Sequence, residues 1–191
     1  ILLGVAKYMI ANKNSICGEI RFIFQHAEET PPGGGIELIK AGVMDGVDEV
    51  FGLHLTSVLE TGKFGICYGP LTSFTDSFSI LVQGKGGHSS MPQECIDPII
   101  ISAQIILALQ NIASRMITPN DPFVLSVCEI QAGSAYNIIP HTSELKGSVR
   151  SFTAETRYLA EERIGALSTQ IAAAYGATVN YEYKKGYDSV Y

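Results

Sequence analysis

Three observations predict an α/β fold in two parts. Apolar strand patterns alternate with helical ones over residues 1–74, a β-α-β-β-α-β succession fills residues 75–188, and the helical segments end at recognisable stops. Residues 189–191 are expected to return to the first part.

The opening Ile1-Leu2-Leu3-Gly4-Val5-Ala6-Lys7-Tyr8-Met9-Ile10 looks like a signal sequence only superficially. It lacks an initiator Met, a basic leader and a small-residue cleavage site. It reads instead as the rear of an amphipathic helix, ending near Asn12-Lys13-Asn14, in a chain expected to be a fragment. A strand is expected over Gly18–Gln25, built on Ile20-Arg21-Phe22-Ile23-Phe24. Pro31-Pro32 and Gly33-Gly34-Gly35 then lead into a short helix, Ile36–Ala41, with Gly42 as its cap. A strand over Glu49–His54 and an extended stretch over Lys63–Tyr68 complete this part.

The second part starts with a strand at Ser77–Gln83 and a glycine-rich turn. The spacing of Ile99, Ala103, Ile106, Leu109, Gln110 and Ala113 predicts a helix over Pro98–Ser114. Strands at Phe123–Gln131 and Glu144–Arg150 follow, then a helix over Ala154–Tyr175 stopped by Gly176, and a strand at Thr178–Tyr183. That order is the ferredoxin-like unit.

Composition narrows the function. The 191 residues are 46% hydrophobic and 17% charged, enough to bury a core. A net charge of −6 with scattered Lys and Arg argues against a nucleic-acid partner. No uninterrupted apolar run approaches the roughly 20 residues of a membrane span, so no membrane partner is expected. Cys17, Cys67, Cys95 and Cys128 have no zinc-knuckle or redox spacing. Cys17, Cys67 and Cys128 are expected to act as small hydrophobes in or beside strands, and four free thiols suit a reducing cytoplasm.

The chemistry gathers in two places. Glu28 and Glu29 end one strand pattern and His54 closes the next, where reactive groups collect in α/β folds. Oxygen ligands with imidazole suit zinc or manganese, and a second carboxylate can activate water. The plainer alternatives are a solvated acidic turn for the glutamates and a hydrogen-bonded core histidine for His54. In the second part, Gly84-Lys85-Gly86-Gly87-His88-Ser89-Ser90-Met91-Pro92 lacks the phosphate-loop pattern, and no nucleophile elbow surrounds Ser89. The functional reading is a flexible backbone presenting His88 to an oxyanion; the plain one is a turn. Asn137 reads most simply as a turn residue. Arg150, at a strand end, either grips a carboxylate or makes a surface ion pair.

Taken together, Phe24-Gln25-His26-Ala27-Glu28-Glu29, Gly52-Leu53-His54, Gly84-Lys85-Gly86-Gly87-His88-Ser89, Asn137-Ile138-Ile139-Pro140 and Gly147-Ser148-Val149-Arg150 resemble the two-metal aminoacylases, hippurate hydrolases and indole-acetyl-amino-acid hydrolases. Carboxypeptidase and deacetylase relatives are further away. The resemblance implies part of a catalytic α/β domain carrying an inserted ferredoxin-like lid that mediates homodimerisation. It implies Glu28 as general base, Glu29 and His54 as metal ligands, His88 as oxyanion donor, and Asn137 and Arg150 as substrate contacts. Two divalent ions per full-length subunit, zinc or manganese, and a small N-acyl-amino-acid substrate are implied with them. His26 replaces a more usual proline, and His141 stands where an acidic residue is common. A Cys-Gly-His-Asp ligand motif expected before Ile1 and a histidine ligand expected beyond Tyr191 are absent from the chain. The expected activity is therefore metal-dependent amide hydrolysis, with this fragment inactive alone. The alternatives are a non-catalytic dimerisation or binding module and a dipeptidase or carboxypeptidase.

Overall fold

The computed structural model describes residues 1–30 and 33–191, which form two compact units, Ile1–Gly62 and Lys63–Tyr191. Pro31 and Pro32 of the predicted glycine-rich approach lie outside the described residues.

In the first unit, helix α1 spans Leu2–Ala11 and a short helix α2 spans Gly35–Lys40. Gly42, at φ 84°, donates its N–H to the Ile39 carbonyl, and Val43 donates to Leu38. This paired closure needs a left-handed residue, which glycine supplies without a Cβ clash. The strands expected at Gly18–Gln25 and Glu49–His54 do not form among the described residues. A strand is a property of a hydrogen-bonded pair, and a sequence pattern does not supply the partner. The apolar side chains of the second segment are accordingly exposed, Phe51 at 86% and Leu53 at 58%.

The second unit is built on an antiparallel sheet. Its four strands are β1 (Phe74–Gln83), β3 (Val124–Ala132), β5 (Thr142–Ser151) and β6 (Thr178–Lys184), in the order β3-β5-β1-β6. Two-residue strands β2 (Gly87–His88) and β4 (Ile138–Ile139) form a separate ladder. Helices α3 (Pro98–Asn111) and α4 (Ala154–Ala174) connect the long strands, which gives the ferredoxin-like order. Alternation on β1 sends Phe78, Ile80 and Val82 into the core with Leu145 and Val149 of β5. Gly147 faces Phe78 in the register, and a Cβ there would stand 2.3 Å from the Phe78 ring.

The inward face of α3 is Ile101, Ser102, Ile105 and Leu109, continued by Ile112 in a π-helical turn over Ile112–Met116. This corrects the expected face: Ile99, Ala103, Gln110 and Ala113 are exposed. The helix is apolar on several sides, so spacing alone does not select one. By length and composition, Pro98–Met116 would suffice to cross a membrane, but its core-facing side chains pack on the sheet. Asp97 caps α3 by accepting from Ile99 N–H at 2.9 Å, and Thr153 caps α4 by accepting from Thr156 N–H. Gly176, at φ 78°, stops α4 as expected. The four cysteines are free, and Cys17, Cys67 and Cys128 are exposed rather than packed as small hydrophobes.

The segments entering and leaving this sheet are laced together. Leu71 N–H donates to Val190 O at 2.7 Å, and Thr75 N–H donates to Tyr187 O at 3.1 Å. Beneath them lies a buried ion pair, Asp76 with Arg157. Asp76 accepts from Arg157 Nε at 2.9 Å and Nη2 at 2.7 Å, from Tyr183 OH at 2.8 Å and from Gly186 N–H at 3.0 Å. Arg157 also holds Asp188 at 2.7 Å and stacks on the Phe74 ring. Burial pushes the Asp76 carboxyl up, but the hydrogen bonds from Arg157, Tyr183 and Gly186 outweigh it and hold the group below its ordinary value.

Candidate functional site

The glutamates sit at a tight turn. Glu28 and Glu29 occupy its two central positions, closed by Thr30 N–H donating to Ala27 O at 3.2 Å. Ala27 has φ 50°, a left-handed conformation that disfavours an L side chain and is held only where its surroundings fix it. One such constraint is Gly34, whose N–H donates to His26 O at 3.0 Å. A Cβ on Gly34 would stand 2.6 Å from that same oxygen, so only glycine permits the approach. His26 itself pairs with Glu37 at 3.1 Å on the surface, a contact that stabilises little.

His54 is exposed and lies outside any helix or strand. Its Nδ1 lies 2.6 Å from the Leu55 carbonyl, an acceptor, so a neutral ring carries its hydrogen on Nδ1 and keeps a lone pair on Nε2. That is the tautomer of a histidine ligand.

The second unit brings His88 and Asn137 together. His88 pairs with Ile138 across β2 and β4, and Ser89 N–H donates to Asn137 O at 3.1 Å. Ser90 N–H donates to His88 Nδ1 at 3.3 Å, with Ser90 Oγ at 2.8 Å from the same nitrogen. With Nδ1 accepting, the neutral ring carries its hydrogen on Nε2, where it can be donated to a developing oxyanion. The sequence reading missed Ser90; a hydroxyl two residues after a histidine is the signal that points to it.

Arg150 is not part of that cluster. It lies opposite Thr75 on β1, near the far end of β5 from Thr142. Eight residues of strand separate Thr142 from Arg150, about 27 Å at roughly 3.4 Å per residue. Its Nη1 donates to Val149 O at 3.1 Å, and no carboxylate pairs with it among the described residues. The surface ion pair weighed against carboxylate binding is therefore not made there.

Residues 61–177 match the model of the peptidase dimerisation domain of the M20 family. This chain belongs to the M20 family. Over its whole length it is 46% identical to the N-acyl-L-amino acid amidohydrolase of Geobacillus stearothermophilus, covering 51% of that protein. Over 96% of its length it is 45% identical to thermostable carboxypeptidase 2 of Saccharolobus solfataricus, covering 47% of it. The solved structure of an aminohydrolase from methicillin-resistant Staphylococcus aureus superposes on all of it with a TM-score of 0.94 at 35% identity, covering 51% of that chain. A dinuclear metal-binding M20 peptidase of Bacillus subtilis covers 99% of it at 34% identity, with a TM-score of 0.80 and 47% of its own length matched. The M20 chain thus spans about half the length of the relatives it matches.

The donor chemistry fits a divalent ion in kind. Glu29 offers an exposed carboxylate and His54 a free Nε2, while among the described residues no three His, Cys, Asp or Glu side chains converge. A metal site requires a set number of donors in a set geometry, and Glu29 and His54 by themselves do not supply that number.

Proposed function

We propose that this M20 chain belongs to a metal-dependent amidohydrolase that cleaves the amide bond of N-acyl-amino acids. The observation that carries the reading is the placing of His88 beside Asn137, whose carbonyl accepts from Ser89 N–H, with His88 held in the tautomer that donates from Nε2. Similarity to a named N-acyl-amino-acid amidohydrolase supports it.

In this reading Glu29 and His54 hold a divalent ion, zinc or manganese, one of two in the subunit. Such an ion supplies a Lewis acid and lowers the pKa of a bound water. Glu28 takes a proton from the attacking water and returns it to the leaving amine. His88 donates Nε2–H to the oxygen of the tetrahedral intermediate, Asn137 orients the substrate, and Arg150 grips its α-carboxylate. Because Arg150 lies about 27 Å along β5 from Thr142 while His88 lies on the separate β2–β4 ladder, the reading assigns them to one site through two copies of the chain. A homodimer through the lid is therefore part of the proposal. Four free cysteines support placing the enzyme in the reducing cytoplasm.

Comparable identity to a carboxypeptidase favours a second reading, in which the amine half of the substrate is the last residue of a peptide. Arg150 would hold its carboxylate in the same way.

The test is hydrolysis of N-acetyl- and N-benzoyl-amino acids by the metal-loaded enzyme, beside its Glu28→Gln variant. We expect unchanged metal content and a turnover lower by about 10²–10⁴-fold in the variant. Full activity in the variant would remove Glu28 as base, and none in the parent enzyme would favour a binding module.

A further inference from the structure

A cavity of about 410 Å³ opens beside His88, and no role has yet been given to it. Gln131, Ser134, His141 and Thr142 supply its polar groups, while Ile138 and Ile139 supply apolar wall. Its lining includes no Asp, Glu, Lys or Arg. Gly87, next to His88, also lines it, so the cavity starts where the reacting carbonyl would be held.

His141 is fixed much as His88 is. Gly86 N–H donates to its Nδ1 at 3.2 Å, so the neutral ring carries its hydrogen on Nε2. Nε2–H is then the ring's only polar group left to meet a bound molecule, and it is a donor. The approach is tight: a Cβ on Gly86 would stand 2.5 Å from Ile139 O, so glycine is needed to bring this N–H to the imidazole. Two histidines, His88 on the β2–β4 ladder and His141 just after it, thus present the same tautomer through the same device, a backbone N–H capping Nδ1.

We propose that this cavity receives the acyl tail of the substrate and that His141 is a specificity-determining residue, selecting tails that end in a hydrogen-bond acceptor. The assignment rests on the amidohydrolase reading, in which Arg150 takes the amino-acid half and leaves the acyl half beside His88. A donor without a neighbouring lining charge favours a carboxylate or carbonyl oxygen. It disfavours an ammonium group, which brings no acceptor. A plain alkyl tail gains the apolar wall and nothing from the imidazole.

The experiment compares three N-acylglycines of similar length: N-glutarylglycine, N-pentanoylglycine and N-(4-aminobutanoyl)glycine. Dissociation constants are read from amide shifts of Gly86, Gly133 and Thr142 in nitrogen-15 spectra of this chain, and kcat/KM from the metal-loaded enzyme. We expect the glutaryl compound to bind best and the aminobutanoyl compound worst. Each step should be about fivefold to tenfold, on the scale of one net hydrogen bond. His141→Asp should reverse the order of the two charged probes and leave the pentanoyl compound within about twofold, as expected if that probe makes no polar contact at this position. Equal constants for all three probes, or shifts absent from these amides, would overturn the subsite. An order unchanged in His141→Asp, with the fold intact by its spectrum, would overturn the role of His141. A retained binding order with no hydrolysis would sustain the subsite and overturn the amidohydrolase reading instead.

Discussion

Asp76→Asn should be among the most damaging single-atom changes in the second unit. The residue is 2% exposed, and the variant keeps its shape while removing its charge. Arg157, itself 7% exposed, would lose its buried counter-charge and keep only Asp188 and the Gly186 carbonyl. Breaking one side of a buried ion pair costs about 3–5 kcal/mol, because the remaining charge stays desolvated. Retention of Asp188 places the expected loss near the lower end, about 3 kcal/mol. With a urea slope of roughly 1.5 kcal/mol/M, the unfolding midpoint of the second unit should fall by about 2 M. The pH dependence has a defined sign. The folded-state pKa of Asp76 is depressed, so its contribution is present above the unfolded value and lost as pH falls through the lower folded one. The gap between parent and variant should therefore hold from about pH 8 to 5 and narrow only below about pH 4. Adding Arg157→Met to the variant should cost far less than Arg157→Met alone, since the stranded charge is then gone. A loss below about 1 kcal/mol at neutral pH, a gap that widens in acid, or strict additivity in the double variant would refute this account.

Gly186→Ala tests the same junction by sterics: the new Cβ would stand 1.9 Å from Thr75 O, so backbone must move. We expect a loss of about 1–3 kcal/mol by thermal or urea unfolding, and none if the exit segment is free of Thr75. Arg150→Ala should raise KM about tenfold or more for substrates with a free α-carboxylate and leave their methyl esters unaffected. Equal effects on acids and esters would withdraw Arg150 from carboxylate recognition.

The second unit was legible because its signals are local. Phe78, Ile80 and Val82 alternate with Ser77, Ser79 and Leu81, and a strand with one buried face is what formed. Gly42 and Gly176 mark helix ends by a conformation other residues avoid, and both stand at positive φ. The inward face of α3 was not legible, because Ile99, Ile100 and Leu107 are as apolar as Ile101, Ile105 and Leu109. Which set turns inward is decided by β1 and β5, and a helix wheel holds no record of them. The strands expected in the first unit failed for a related reason. Val50, Phe51 and Leu53 carry the pattern, but a ladder also needs a second backbone within hydrogen-bonding reach.

The site inverts distance along the chain. Asn137 and Arg150 belong to neighbouring motifs, yet β5 is extended and carries Arg150 about 27 Å from Thr142. His88 is far from Asn137 in sequence, yet two residues of β2 and two of β4 set them side by side. Strands that short leave no periodicity to read. The consequence reaches the mechanism. In an N-acyl-amino acid the scissile carbonyl and the α-carboxylate are about 4 Å apart, one residue's span of backbone. A group holding that carbonyl and a group holding that carboxylate must therefore converge. Within one copy β5 carries Arg150 about 27 Å from Thr142, while Gly84 N–H, four residues before His88, donates to His141 O beside Thr142. If both residues touch one substrate, they come from different copies of the chain, and pairing of lids is then a condition of catalysis.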